Sequence, residues 1–138
     1  MVNQALTIFT IDGEQCALRA SEIELVAKIS ELSIVPAAPP EILGMANFRG
    51  RAVVVFDAGA LMGKTKTGVR KKIIVFKNND CAWAIDDVLD VITAPVTVKN
   101  LTVGQMAAVG AISEGIIEIE DKHILLCSYD NMNERRVK

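Results

Sequence analysis

Hydrophobic residues along this chain come in short blocks cut by polar, turn-forming pairs. Residues Ala5 to Ile11 alternate in part and predict a strand, because successive strand side chains point to opposite faces. Asp12-Gly13 follows and is a two-residue hairpin signal, so Gln15 to Leu18 is expected to return beside it. Ser21-Glu22-Ile23-Glu24 matches a capping box and predicts a short helical or irregular segment through about Ile29. Pro36-Ala37-Ala38-Pro39-Pro40 interrupts regular structure and reads as an extended connector.

The stretch from Pro39 to Asp57 is the most informative. Pro40 suits a first helical position, Glu41 the first turn, and Gly44 a turn end with positive φ. Asn47 tolerates left-handed geometry and Gly50 permits it, so the chain is expected to reverse there. Val53 to Phe56 is an unbroken apolar run and predicts a buried strand. Arg49 lies between that turn and that strand, held by the backbone with its tip in water. The arrangement suits recognition of a partner and contains no catalytic group.

Beyond it, Gly59 to Gly68 has little pattern. Gly63-Lys64-Thr65 resembles the end of a phosphate loop, but Ala58 stands where the motif needs its first glycine, so an exposed loop is expected. Ile73 to Phe76, Ala82 to Ile85 and Val88 to Ile92 predict three strands, with a turn at Asn78-Asn79-Asp80. Asp86 and Asp87 part the last two. Adjacent residues of an extended segment face opposite ways, so these acids read as a turn or solvated edge and not as a catalytic pair. Residues 101–109 are open between short helix and loop. Ile116 to Glu120 and His123 to Cys127, around Asp121-Lys122, predict a closing hairpin.

Composition narrows the function. The 138 residues suit one domain with a core of its own, and 51% are hydrophobic but only 4% aromatic, which favours a Val/Ile/Leu sheet core. A net charge of −2 argues against general nucleic-acid binding. Residues 133–138 are locally basic and read as a solvated tail. Cys16, Cys81 and Cys127 are far apart and His123 is the only histidine, so neither a metal site nor a nucleophile–base pair is expected. The thiols read as reduced, small hydrophobes. No run approaches the roughly 20 apolar residues of a membrane helix, and the chain reads as cytoplasmic.

The count is eight or nine short strands with few helices, hence an all-β fold. The two halves look loosely alike, each with a hairpin, a linker and a Val-rich strand ending near an acid, Asp57 or Asp90. That pattern predicts a single domain of two lobes divided near residues 63–72. A small-ligand-binding barrel is the competing class, and it needs a roomy cavity with converging polar groups.

Ile42-x-Gly44-x-x-Asn47-x-Arg49-Gly50, then Val53 to Asp57, resembles the signature of CheW-like domains. These are adaptors of bacterial chemosensory arrays, and the module also ends chemotaxis-type histidine kinases. Phe9-Thr10-Ile11 with its hairpin, Ile23 to Val26, Ile85-Asp86-x-Val88-x-Asp90-Val91 and Asp121 to Leu126 match further, so the resemblance spans about residues 5 to 132. It implies two small five-stranded barrels over a shared apolar core, with no enzyme activity and no cofactor. It implies two partners: the cytoplasmic tip of a chemoreceptor, and the regulatory domain of the kinase. It places the protein in the cytoplasm, recruited to membrane-associated arrays, and allows self-association into rings or rows. The receptor-facing surface carries over onto Ile23, Gly44, Met45 and Arg49, while Asn47, Gly50 and Asp57 shape the motif. The family usually has proline where Val54 stands and leucine at Ala58; Phe48 replaces an aliphatic residue, and Arg51 is an extra charge. The implied role is therefore the main chemotaxis adaptor or that of another array, such as one for twitching or surface motility.

Overall fold

Tight two-residue hairpins set the first level of order. Asp12 and Gly13, Arg49 and Gly50, and Glu120 and Asp121 all have positive φ, between 49° and 82°. Two consecutive left-handed residues are the geometry of the turn that matches strand twist. They join β1 (Asn3–Ile11) to β2 (Glu14–Arg19), β4 (Ile42–Phe48) to β5 (Arg51–Asp57), and β9 (Ser113–Ile119) to β10 (Lys122–Cys127). The computed structural model describes residues 3–29, 31–62, 70–77, 80–95 and 113–128. The remaining described strands are β3 (Ile23–Lys28), β6 (Lys72–Phe76), β7 (Cys81–Ile85) and β8 (Asp87–Pro95), and the one helix among these residues is the four-residue α1 (Ala58–Leu61).

The strands make two five-stranded sheets, ordered β8-β1-β2-β10-β9 and β3-β6-β7-β5-β4. This is the all-β, two-lobed architecture the sequence predicts. The division near residues 63–72 is corrected, because β3, β4 and β5 before that point share a sheet with β6 and β7 after it. The first sheet is built from both ends of the described chain. β1 pairs with β8, and β2 lies parallel to β10 with Cys16 opposite Leu125.

Two local expectations also yield to tertiary pairing. Ala20–Glu22 forms a 3-10 turn with no side-chain cap, and Ile23 onward is the edge strand β3. Ile23-Glu-Leu-Val-Ala-Lys alternates half-buried with exposed, and pairing with β6 outweighs the capping signal. Pro40 lies in a turn closed by Ile42 N donating to Pro39 O at 3.0 Å, where proline fits the second position, and Gly44 lies inside β4. Residues 63–69, with the phosphate-loop resemblance, fall outside the described residues, as do 101–109 and the basic tail.

Strict alternation sorts the apolar residues into three layers. Val53, Val55, Ile73, Val75, Ala82 and Ala84 face the inside of the second sheet's lobe. Leu6, Ile8, Ala17, Ile117, Ile124 and Leu126 fill the first. The intervening residues, among them Phe9, Ile11, Leu18, Phe56, Ile74, Phe76, Trp83 and Leu125, meet between the two sheets. Trp83 is fully buried there with its ring edge-on to Phe76 at 4.7 Å and 74°, a contact worth about 0.5–1.5 kcal/mol beyond area burial.

Cys16 and Cys127 are buried in this middle layer and Cys81 lies half-buried at its rim. A hydrogen bond with Cys16, reinforced by burial, pushes the Cys127 thiol up, so it stays protonated at neutral pH. Native protein treated with a thiol reagent at pH 7.5 is expected to label at Cys81 first, with Cys16 and Cys127 protected until denaturant is added. Equal labelling of all three in the native state would contradict the packing of the middle layer.

Candidate partner-binding surface

The register of the second sheet places Ile23 opposite Phe76, Val54 opposite Cys81, and Met45 opposite Val54. The β6–β7 register, with Val75 opposite Ala82, sets Phe76 beside Cys81 one step further on. One row thus crosses the sheet from Ile23 to Met45. Ile23, Val54 and Cys81 pack on the rim of the inter-sheet layer and are half-buried, as is Met45. Phe76 between Ile23 and Cys81 is buried, so the partly accessible Ile23, Cys81, Val54 and Met45 form a broken apolar strip. Val54 N donates to Asp80 O at 2.9 Å, so its backbone is engaged in this sheet where a proline could not donate.

The β4–β5 hairpin tip closes the same end of the sheet. Asn47 Oδ1 accepts from Gly50 N at 3.0 Å and fixes the reversal. Arg49 is exposed at that tip with φ 52°, a conformation that favours Asn, Asp or Gly. Among the described residues it has no hydrogen bond or ion pair. Arg51 differs: Nη2 lies 3.2 Å from Glu24 Oε1 and Nε 3.3 Å from Asp80 Oδ1. Its charge is spent in holding β3 and the start of β7 to the hairpin. These pairs are partly exposed, so each contributes about 0–1 kcal/mol.

Gly44 is buried and does not share an open surface with Arg49. Ser33 and Met45 exchange backbone hydrogen bonds at 2.8 Å, which seats the segment around Ser33 against the β4 edge. A Cβ on Gly44 would lie 2.6 Å from Ser33 O, and φ there is 154°. Gly44 therefore shapes the strip by admitting this segment. Arg49 stands five residues further along β4, roughly 16 Å at a strand rise of about 3.3 Å.

Asp57 belongs to a different feature, at the opposite end of β5. Its Oδ1 accepts from Gly59 N at 3.0 Å, capping α1, and from Arg70 Nε at 2.8 Å. Arg70 Nη1 also reaches Asp12 Oδ1 and Asp86 Oδ1, both at 2.7 Å, and Nη2 reaches Asp12 Oδ2 at 3.2 Å. Arg70 is only 6% exposed. The hydrogen bond to Asp12 is the main cause that raises its pKa, opposed by burial and helped by Asp57. Gly59 leaves room for the guanidinium, which a Cβ there would strike. No sequence reading found this junction. Its acids are far apart along the chain, and nothing beside Arg70 in the sequence singles it out. The only local signal is that each acid ends an apolar block.

Asp86 and Asp87 do face apart, Asp86 towards Arg70 and Asp87 to Lys72 Nζ at 2.8 Å. His123 is exposed, 3.8 Å from Glu118 on the facing strand. Leu89 and Val91 on the edge strand β8 are 53% and 62% exposed. Among the described residues no group of His, Cys, Asp or Glu is disposed to hold a metal ion, and no helix is long and apolar enough to cross a membrane.

A model of the CheW-like domain matches residues 5–134. The chain belongs to the CheW-like domain family. It is similar to the Chemotaxis protein CheW of Thermotoga maritima, 25% identical over 129 residues that cover 91% of this chain and 85% of the relative. It is also similar to the Chemotaxis protein CheW of Bacillus subtilis, 23% identical over 94 residues. That second match covers 65% of this chain and spans 60% of the relative's length. Among solved structures, the scaffolding protein TtCheW of Thermoanaerobacter tengcongensis superposes with a TM-score of 0.79 at 23% identity, covering 94% of this chain and 86% of that one. The likeness establishes a shared fold for this CheW-like chain.

Gly44→Ala tests the seating of the Ser33 segment. It is expected to cost about 1–3 kcal/mol in urea unfolding at unchanged m value, from the strained φ and the contact with Ser33 O. A loss within a few tenths of a kcal/mol would show that the segment does not lie on β4.

Proposed function

We propose that this CheW-like chain is a non-enzymatic adaptor that couples chemoreceptors to a chemotaxis-type histidine kinase. The observation that carries the reading is Arg49. An exposed arginine holds a left-handed turn position that a smaller residue fills more easily, beside a half-buried apolar strip. A strained backbone at an exposed cation is a reason to look for a partner that uses it. The strip from Ile23 to Met45 supplies apolar area, and Arg49 supplies a rigid fork for a carboxylate or carbonyl of the receptor tip. The family and the names of its relatives, chemotaxis proteins and a scaffolding protein, support the same role.

The kinase's regulatory domain, of the same family, would meet the other lobe. Among the described residues that lobe exposes Asp90, Glu114, Glu118, Glu120 and Asp121 against Lys122, whereas the lobe with Arg49 exposes Lys28, Lys71 and Lys77 against Glu24, Glu31 and Asp80. Surfaces of different charge suit two different partners. The adaptor would work in the cytoplasm at receptor arrays, and nothing in its role needs bond chemistry.

Pulldown of the purified protein with a receptor cytoplasmic fragment and with the kinase tests the proposal. Arg49→Ala is expected to weaken receptor binding about 5–150-fold, the equivalent of roughly 1–3 kcal/mol. The melting temperature should stay within about 2–4 °C, since the residue is on the surface. Val54→Arg should weaken the same contact by blocking the strip. A folded wild-type protein that binds neither partner would overturn the reading.

A further inference from the structure

We infer that Arg70 is a positioning residue that locks the docking strip of one lobe to the other lobe, so that binding at one surface is felt at the second. The inference rests on the adaptor reading above and goes beyond it by naming the link.

Among the described residues, two connections cross between the sheets: the Ala20–Glu22 turn from β2 to β3, and Asp86 between β7 and β8. The apolar layer between the sheets holds them together, but apolar contact is non-directional and fixes no angle. Charge-assisted hydrogen bonds to a planar guanidinium do fix one. Arg70 makes them to both lobes. Asp57 ends β5, three residues beyond Val54 of the strip, and Asp86 follows β7, which starts with Cys81 of the strip. Asp12 is in the β1–β2 turn of the other sheet and takes the guanidinium with both oxygens. The same turn is fixed to the crossing by Gly13 N donating to Asp86 Oδ2 at 3.3 Å, and Asp86 N donates to Thr10 O at 3.0 Å. Two strands of the docking strip thus run into the cluster that grips the opposite lobe. A partner that tilts β5 and β7 must either move the Asp12 turn or break a buried ionic contact.

The test is thermodynamic coupling. Affinity for the receptor fragment is measured with and without saturating kinase regulatory domain, for wild type and for Asp12→Asn. This substitution keeps the side-chain shape and leaves Arg70 its contacts with Asp57 and Asp86. Wild type is expected to show a mutual effect of about 5-fold or more. Asp12→Asn is expected to keep each separate affinity within about twofold, while the mutual effect falls towards one. A purely structural role would move the separate affinities together and leave their ratio intact. If Asp12→Asn does not fold, Asp86→Asn is measured in the same way. Full coupling in a folded variant, or no coupling in wild type that binds both partners, overturns the inference and leaves the adaptor reading standing. Failure to bind either partner alone defeats the adaptor reading itself.

Discussion

A single buried guanidinium organises this fold. Arg70 could not be taken from water without compensation, since the effective penalty is several kcal/mol per ion. Its carboxylate partners come from the β1–β2 turn, the end of β5 and the β7–β8 crossing. Two of the three are themselves fixed by backbone: Asp57 caps α1 and Asp86 accepts from Gly13. Removing one side of such a pair typically costs about 3–5 kcal/mol, against a total of about 5–15 kcal/mol for a domain. The junction therefore constrains its surroundings down to Gly59, where no side chain fits.

The second constraint is double burial. In β5, β6 and β7 one set of alternate residues fills a lobe and the other set meets the opposite sheet. That is why Val53 to Phe56 and Ile73 to Phe76 read as continuous apolar runs, a pattern usual for parallel sheets covered on both faces. Here the sheets are largely antiparallel, and two curled sheets cover each other. Only the rim of the shared layer stays accessible. Ile23, Val54 and Cys81 of the strip lie on that rim.

Much of this was legible locally. Asp12-Gly13 marked its hairpin, the apolar blocks marked most strands, and the motif around Asn47 and Gly50 marked the turn that presents Arg49. What failed was whatever depended on distant partners. Ser21 to Glu24 carried a helix-start signal, but β6 supplied a pairing edge for Ile23 to Lys28. Pro40 and Gly44 suggested a helical turn, while Gly44 was needed for close approach of Ser33. The resemblance between chain halves suggested a cut near the middle, whereas the hydrogen bonds join β1 and β2 to β8 and β10. Nothing in the local sequence marks Arg70, because its three carboxylates lie 13 to 58 positions away.

The pairing of the first described strands with the last has a consequence for biosynthesis. β3 to β7 is continuous in sequence and can close as soon as residue 85 has left the ribosome. β1 and β2 must wait for β8 and β10, about a hundred residues later, which at about 5–20 residues per second is roughly 5–20 s. During that interval Leu6, Ile8 and Ala17 have no cover from their own lobe. Among the described strands, β1 and β2 thus wait longest in sequence for their pairing partners.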